Sequence, residues 1–294
     1  MSVTERVRSG LSVSTRRRLA RRRVLIRRAT SFARPMPSFM IIGTQRGGTS
    51  SLYKYLEGHP DLDASIRKET EYFSRRFSES EGWYRAHFGF ATGRRGRRLA
   101  FEATPDYLFY PPTPERVAER LPDARFVVLL RDPVERAYSH YCHMARLGFE
   151  QLSFDDALAC EAGRLASDEA ELDRDSTFFC RDLLRFSYAA RGRYADQLER
   201  WFAVSDPSRF LVLRSEDLFE DPAAGLADVI AFLGVRPWQP RTFQNFSREP
   251  VDPTDRSISP SAAAFLRRTL EPQVRRLERL VGKSMDWRLG TPRS

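Results

Sequence analysis

The stretch Gly43-Thr44-Gln45-Arg46-Gly47-Gly48-Thr49-Ser50 has the composition of a phosphate cradle. It follows the apolar run Ser38-Phe39-Met40-Ile41-Ile42 and opens a helix-like stretch that reaches about Glu57. Glycines let a backbone approach an anion, and a helix N-terminus offers N–H groups and a positive dipole end. The spacing from Gly43 to Gly48 matches the G-x-x-x-x-G of a P-loop. Thr49 then stands where that motif places its lysine, so the cation that reaches the outer phosphates of ATP is missing. A cation comes earlier instead, as Arg46. The loop therefore reads as a site for a phosphate-like group, built differently from that of an ATPase. A second stretch, Val128-Leu129-Leu130-Arg131-Asp132-Pro133-Val134-Glu135-Arg136-Ala137-Tyr138-Ser139, is also strand, turn and helix. Arg131 leaves the strand at its C-terminal end, where open α/β sheets bind ligands. Ser139 follows about two helical turns later. A guanidinium fork with a hydroxyl suits a phosphate.

These two loops need elements that hold them. The run 38–42 reads as a buried strand, and Leu52, Tyr55 and Leu56 line one face of the helix after it. Leu99 to Glu102 is a second strand candidate. Arg125 to Leu130 is a third, apolar almost throughout, as a strand buried on both faces should be. Asp132-Pro133 caps the helix that follows to about Leu147. Phe210 to Leu213 is a fourth strand. Asp221-Pro222 opens a helix stopped by Gly234, and Ser259-Pro260 opens one to about Val281. Residues 150–205 read as mainly helical. The alternation predicts an α/β fold, a single domain with a central parallel sheet flanked by helices.

The 294 residues carry a formal charge of +10. Residues 1–37 hold eleven arginines and one acid, so the whole excess sits there and residues 38–294 are balanced. The charge thus gives no nucleic-acid reading for the folded body. Arg16 to Arg28 holds eight arginines with Leu19, Val24, Leu25 and Ile26 among them. That segment reads as a flexible, solvated tail, or as a basic amphipathic helix touching anionic lipid. No run reaches the roughly 18 apolar residues of a membrane span. Cys142, Cys160 and Cys180 show no C-x-x-C spacing and read as reduced thiols of a cytoplasmic protein, associated with the inner face of the membrane if the tail binds lipid. His140 and His143 share a helix face without a carboxylate or cysteine set, so no metal is expected.

At this point the residues resemble a known family. Residues 43–52 look like the 5′-phosphosulfate loop of sulfotransferases, and Arg-Asp-Pro-Val-Glu-Arg-Ala-Tyr-Ser-His-Tyr (131–141) like their 3′-phosphate element. His59-Pro60, Lys68-Glu69-Thr70-Glu71-Tyr72-Phe73, Thr104-Pro105-Asp106-Tyr107 and Arg191-Gly192-Arg193-Tyr194 fit as well. The sequence is similar to the carbohydrate type, that of the heparan sulfate sulfotransferases. The resemblance implies P-loop-like architecture and 3′-phosphoadenosine 5′-phosphosulfate (PAPS) as donor, with PAP as product and no metal. It puts Glu69 at the catalytic base, Lys68 at the substrate or sulfate, and Arg46 where relatives usually carry lysine, as an electrostatic clamp. Gly47, Gly48, Thr49 and Ser50 then contact the phosphosulfate, and Arg131 and Ser139 hold the 3′-phosphate. Tyr194, which reads as core or adenine-side packing, joins the cofactor contacts.

Two departures bear on the acceptor. Glu102-Ala103-Thr104-Pro105 stands where many carbohydrate relatives have Glu-Lys-Thr-Pro, and Glu71 where they tend to have histidine. Both predict a more acidic acceptor side, hence a neutral or cationic carbohydrate-like acceptor, a glycolipid (lipid-linked) acceptor or a small alcohol. Two rival readings are a P-loop-type nucleotide kinase, which wants lysine at Thr49, and a non-enzymatic polyanion-binding protein driven by the tail.

Overall fold

A computed structural model describes residues 13–90, 92–93, 96–244, 246 and 258–289. Helix α1 (Val13–Arg28) precedes β1 (Phe39–Gly43), α2 (Thr49–Glu57), β2 (Leu62–Ala64) and α3 (Glu81–Arg85). Next come β3 (Leu99–Ala103), α4 (Thr113–Arg120), β4 (Arg125–Leu130) and α5 (Pro133–Arg146). Helices α6 (Phe154–Arg174), α7 (Arg181–Phe186) and α8 (Tyr194–Phe202) lead to β5 (Phe210–Arg214). Helices α9 (Ser215–Glu220), α10 (Pro222–Leu233) and α11 (Pro260–Val281) follow.

These five strands form one sheet in the order β2-β3-β1-β4-β5, every pairing parallel, and a separate antiparallel pair joins residues 92–93 to 96–97. The run 39–43 is buried at every position because both sheet faces are covered. Side chains alternate across the sheet and divide the core in two. Met40, Ile42, Phe126, Val128 and Leu130 pack with Ala137, Leu198, Trp201 and Leu266 on one side. Phe39, Ile41, Val127 and Leu129 pack with Leu52, Leu56, Leu226 and Ile230 on the other. The α/β architecture predicted from the alternation is the one observed.

The helix boundaries follow local chemistry. Asp132 Oδ1 accepts from the N–H groups of Val134 (2.9 Å) and Glu135 (3.3 Å), with Pro133 at the first position. Asp221 caps α10 in the same way, and Gly234 ends it with a φ of 67°. Ser259 caps α11. Strand β2 has no counterpart in the sequence reading. Its three residues, Leu62-Asp63-Ala64, carry too little pattern to announce a strand, and pairing with β3 is what makes them one.

Part of the segment before residue 38 packs on the body. Helix α1 lies against α3 and buries Val24. Arg27 and Arg34 both donate to the Phe88 carbonyl, at 3.2 and 2.7 Å, and Arg85 donates to the Arg34 carbonyl at 2.7 Å. Side chain to carbonyl bonds in both directions thus hold residues 27–34 to the body. Residues 1–12 lie outside the described residues, as do Arg94 and Arg95 of the run Arg94-Arg95-Gly96-Arg97-Arg98. Arg98 of that run pairs with Asp63 at 3.7 Å.

His87, after α3, is buried against Trp83 (ring centroids 4.4 Å apart). Burial drops its pKa from 6.5 to about 4. The unfolded chain therefore takes up a proton near pH 6.5 that the folded chain refuses. The stability tied to neutral His87 is present above that pH and is lost as pH falls toward 4. From about pH 7.5 to about 5.5 this costs roughly 1.4 kcal/mol. Urea unfolding at the two pH values should show that loss, and His87→Gln should remove it; an unchanged pH slope in the variant would refute the assignment.

Candidate functional site

Strands β1 and β4 are neighbours, so the loops at their C-terminal ends emerge side by side. In the first loop, the Thr44 N–H donates to the Leu129 carbonyl (2.7 Å) and the Gly47 N–H to the Thr44 carbonyl (2.9 Å). The Ser215 hydroxyl donates to the Gly47 carbonyl at 2.7 Å. A side chain at Gly47 would meet the Leu129 carbonyl oxygen at 2.8 Å, so the turn requires glycine. Gly48 sits at φ 87°, and its successor Thr49 starts α2. The first helical bonds run from the Ser51 and Leu52 N–H groups to the Gly48 carbonyl, so the N–H groups of Thr49 and Ser50 lie ahead of them, which suits an anion. Gln45, given no role from sequence, keeps a buried Oε1 with no hydrogen-bond partner among the described residues.

The second loop joins the first through side chains. Arg46 Nε donates to Ser139 Oγ at 3.0 Å, and Arg131 Nη1 reaches the Arg46 carbonyl at 3.5 Å. Arg131 also pairs with Glu135 at 3.6 Å. The structure therefore brings Arg46, Arg131 and Ser139 together over the sheet end, beside Gly47, Gly48, Thr49 and Ser50. Tyr194 lies in the core, one of the two placements expected for it. It is fully buried, and its hydroxyl donates to the Arg131 carbonyl at 2.9 Å. With no surface left for a ligand, it holds Arg131 from behind. Sequence reasoning also missed Glu216, whose two oxygens accept from the Asp132 N–H (2.9 Å) and the Trp287 indole (3.1 Å). No spacing could have announced these partners, which lie 84 and 71 positions away in the chain.

Glu69 sits one strand over. Its N–H donates to the Ala103 carbonyl at 2.9 Å, and Ala103 is registered against Ile41 of β1. Adjacent strands lie about 4.8 Å apart, so the strap carrying Glu69 runs close to the phosphate loop. Lys68 Nζ contacts Glu69 Oε1 at 2.5 Å, and the Glu69 side chain is 43% exposed. Arg46, Glu69 and Glu71 all take left-handed φ values of 69°, 63° and 60°. Such a conformation costs a non-glycine residue on the order of 1–3 kcal/mol, so surrounding contacts must enforce it.

Those contacts centre on Glu102, which is fully buried. Its carboxylate accepts from the hydroxyls of Thr70 (2.5 Å), Thr104 (2.9 Å), Tyr107 (3.1 Å) and Tyr84. Burial raises its pKa, and the hydroxyl bonds partly offset that. Thr70 adjoins Glu69, and Tyr107 also accepts from the Phe73 N–H at 3.2 Å, so the hub grips the strap on both sides of Glu71. Glu71 itself lies within 3.9 Å of Arg67, 3.5 Å of Arg75 and 3.6 Å of Arg76. Glu71, expected to make the acceptor side more acidic than in relatives, is therefore offset by its neighbours. Residues 67–76 carry four cations against two acids, and Glu71 is enclosed by the cations.

Asp106 ties the strap to the helical layer. It accepts from Arg75 (2.8 Å) and from the buried Arg191 (3.0 Å). Burial pushes its carboxyl up, but Arg191 and Arg75 outweigh burial and hold it below the usual range. His140 is fully buried against Tyr188, and burial together with Arg191 and Arg136 holds its pKa well below the usual histidine value. Among the described residues no group of three or more His, Cys, Asp or Glu side chains comes together as a metal site.

Comparison with known proteins agrees with this layout. A family profile described as "Sulfotransferase domain" matches residues 36–270. Heparan sulfate glucosamine 3-O-sulfotransferase 6 of Mus musculus is 30% identical over 203 residues, covering 69% of this chain and 54% of the relative. Membrane-associated sulfotransferase kil1 of Dictyostelium discoideum is 40% identical over 106 residues, 36% of this chain and 22% of the relative. The chain thus spans about half, or less, of these curated relatives. Among solved structures, a sulfotransferase from Alicyclobacillus acidocaldarius superposes with a TM-score of 0.66 at 30% identity, covering 85% of this chain and 98% of that one. With the profile spanning most of the chain and the fold shared along nearly all of that bacterial enzyme, this chain belongs to the sulfotransferase family.

Proposed function

We propose that this chain transfers a sulfuryl group from PAPS to a hydroxyl of a carbohydrate-like, lipid-linked or small-molecule acceptor. The observation that carries the reading is the 3.0 Å bond from Arg46 to Ser139, which joins the two phosphate loops into one anion site. A donor with phosphates at both its 3′ and 5′ ends needs two such loops side by side. In this reading the N–H groups of Gly48, Thr49 and Ser50 take the 5′ end beside the Gly47 turn, with Arg46 balancing charge on the leaving phosphate. Arg131 and Ser139 take the 3′-phosphate. The acceptor oxygen gives its proton to Glu69 while it bonds to sulfur, and the bond from sulfur to the 5′-phosphate oxygen breaks to release PAP. Lys68 holds the Glu69 carboxylate in place. The donor set consists of arginines, hydroxyls and backbone N–H groups, which bind phosphate oxygens without a metal bridge, so we assign no metal to the reaction.

The names of the relatives support a sugar hydroxyl as acceptor. We place the chain in the cytoplasm, a reading supported by three cysteines that form no disulfide with one another. Calorimetry with PAP and ADP tests the proposal. PAP should bind at least tenfold more tightly, since charge-assisted bonds to a 3′-phosphate are worth about 1.5–3 kcal/mol. Arg131→Ala should erase most of that preference. Equal affinity for PAP and ADP in the unaltered protein would sink the reading and favour a nucleotide kinase.

A further inference from the structure

We propose that the outward face of α1, with Phe32 just beyond it, docks on an anionic lipid surface. The helix has two unlike sides. Val24 is buried, and Arg27 spends its guanidinium on the Phe88 carbonyl, so that side belongs to the body. The other side exposes Arg18, Arg21, Arg22, Arg23 and Arg28. Helix α1 contains no acidic residue to neutralise them. The same side exposes Leu19, Leu25 (64%) and Ile26 (76%), and Phe32 follows at 83%. Arg18, Arg22 and Leu25, at i, i+4 and i+7, share one stripe, and Leu19 and Ile26 share the next. Apolar tips are therefore interleaved with guanidinium groups on one surface.

Charge and apolarity together select the partner. A polyanion in water would satisfy the arginines and leave Leu25, Ile26 and Phe32 in solvent. A membrane interface with anionic headgroups takes both, with apolar tips at the acyl boundary and arginines among the phosphates. The helix is fastened where such docking would matter. Arg27 and Arg34 grip the Phe88 carbonyl, and the adjacent His87 carbonyl accepts from the Ile66 N–H at 2.8 Å, two residues before Lys68. Lipid contact through α1 thus lies beside the strap that carries Glu69. The inference does not depend on the sulfuryl-transfer reading, because it rests on α1 alone.

The test is co-sedimentation of the full chain with vesicles of phosphatidylcholine, either alone or with about 30% phosphatidylglycerol, in about 0.1 M NaCl. Anionic vesicles should be bound at least tenfold more tightly than neutral ones. Each of Arg18→Gln and Arg22→Gln should weaken binding about fivefold. The triple change Leu25→Ser, Ile26→Ser, Phe32→Ser should weaken it at least tenfold, by removing the buried apolar area. Thermal unfolding confirms that these surface variants stay folded. Binding that ignores phosphatidylglycerol would overturn the proposal. So would an unchanged triple variant, and if heparin then competed fully, the face would be a polyanion site.

Discussion

Glu69→Gln is expected to lower turnover by about 10²–10⁴-fold, equivalent to roughly 3–5 kcal/mol of barrier, with PAP affinity kept within about twofold. The choice of Glu69 rests on comparing three carboxylates near the strap. Glu102 is fully buried and already accepts four hydroxyl bonds, so an acceptor cannot reach it. Glu71 is enclosed by Arg67, Arg75 and Arg76. Glu69 is tethered by its backbone to β3 and presents a half-exposed carboxylate paired with Lys68. Glutamine keeps the size and the backbone tether but cannot take a proton. Glu71→Gln supplies the contrast, since it alters the surroundings of three arginines and should cost far less turnover. The measurement is transfer from PAPS to an acceptor, with PAP binding followed in parallel. A Glu69→Gln protein that turns over like the original would remove Glu69 from its role and leave the phosphate loops unaffected.

The parts of this molecule that could be read from sequence are those governed by neighbours in the chain. The loop 43–50, the strands 39–43 and 125–130, and the caps at Asp132, Asp221 and Ser259 each follow from residues within a few positions of one another. What stayed hidden depends on pairing across long separations. Tyr194 reads as core or adenine-side packing; only the fold places its hydroxyl on the Arg131 carbonyl, 63 positions away. The surroundings of Glu71 stayed hidden for a related reason. Its identity marks a departure from histidine in relatives, whereas only the turn from 71 to 76 shows Arg75 and Arg76 folded back onto it. Glu102 was visible as a residue, but its hub of hydroxyls gathers Thr70, Tyr84 and Tyr107 from three segments. The arginine-rich helix was legible in its charge and not in its docking, because Arg27 and Arg34 act through the backbone carbonyl of Phe88.

Asp106→Ala is expected to destabilise the fold by about 3–5 kcal/mol, the usual cost of leaving a buried charge without its partner. That is a large share of the 5–15 kcal/mol typical of a domain. The stranded charge is Arg191, only 1% exposed, with Ser187 Oγ at 3.0 Å, the Leu184 carbonyl at 3.4 Å and the Phe109 ring at 4.5 Å among its other neighbours. None of these three is an anion, and Glu161, which also attracts the guanidinium, makes no ion pair with it. Arg75 is about a third exposed, so its share of the loss is screened by water. The pH dependence has a definite sign. Asp106 is held below its ordinary pKa, so the pair stabilises the fold above the unfolded carboxyl value and fails as pH drops through the folded one. The gap between the original protein and Asp106→Ala in urea unfolding should therefore be full at neutral pH and narrow in strong acid. Adding Arg191→Met should recover most of the loss, because an apolar side chain of similar length removes the uncompensated charge. A loss below about 1 kcal/mol for Asp106→Ala would mean that the pair is solvated and does not brace the strap. If the double variant recovers stability but not transfer activity, the pair also sets the position of Arg75, and through the strap that of Glu69.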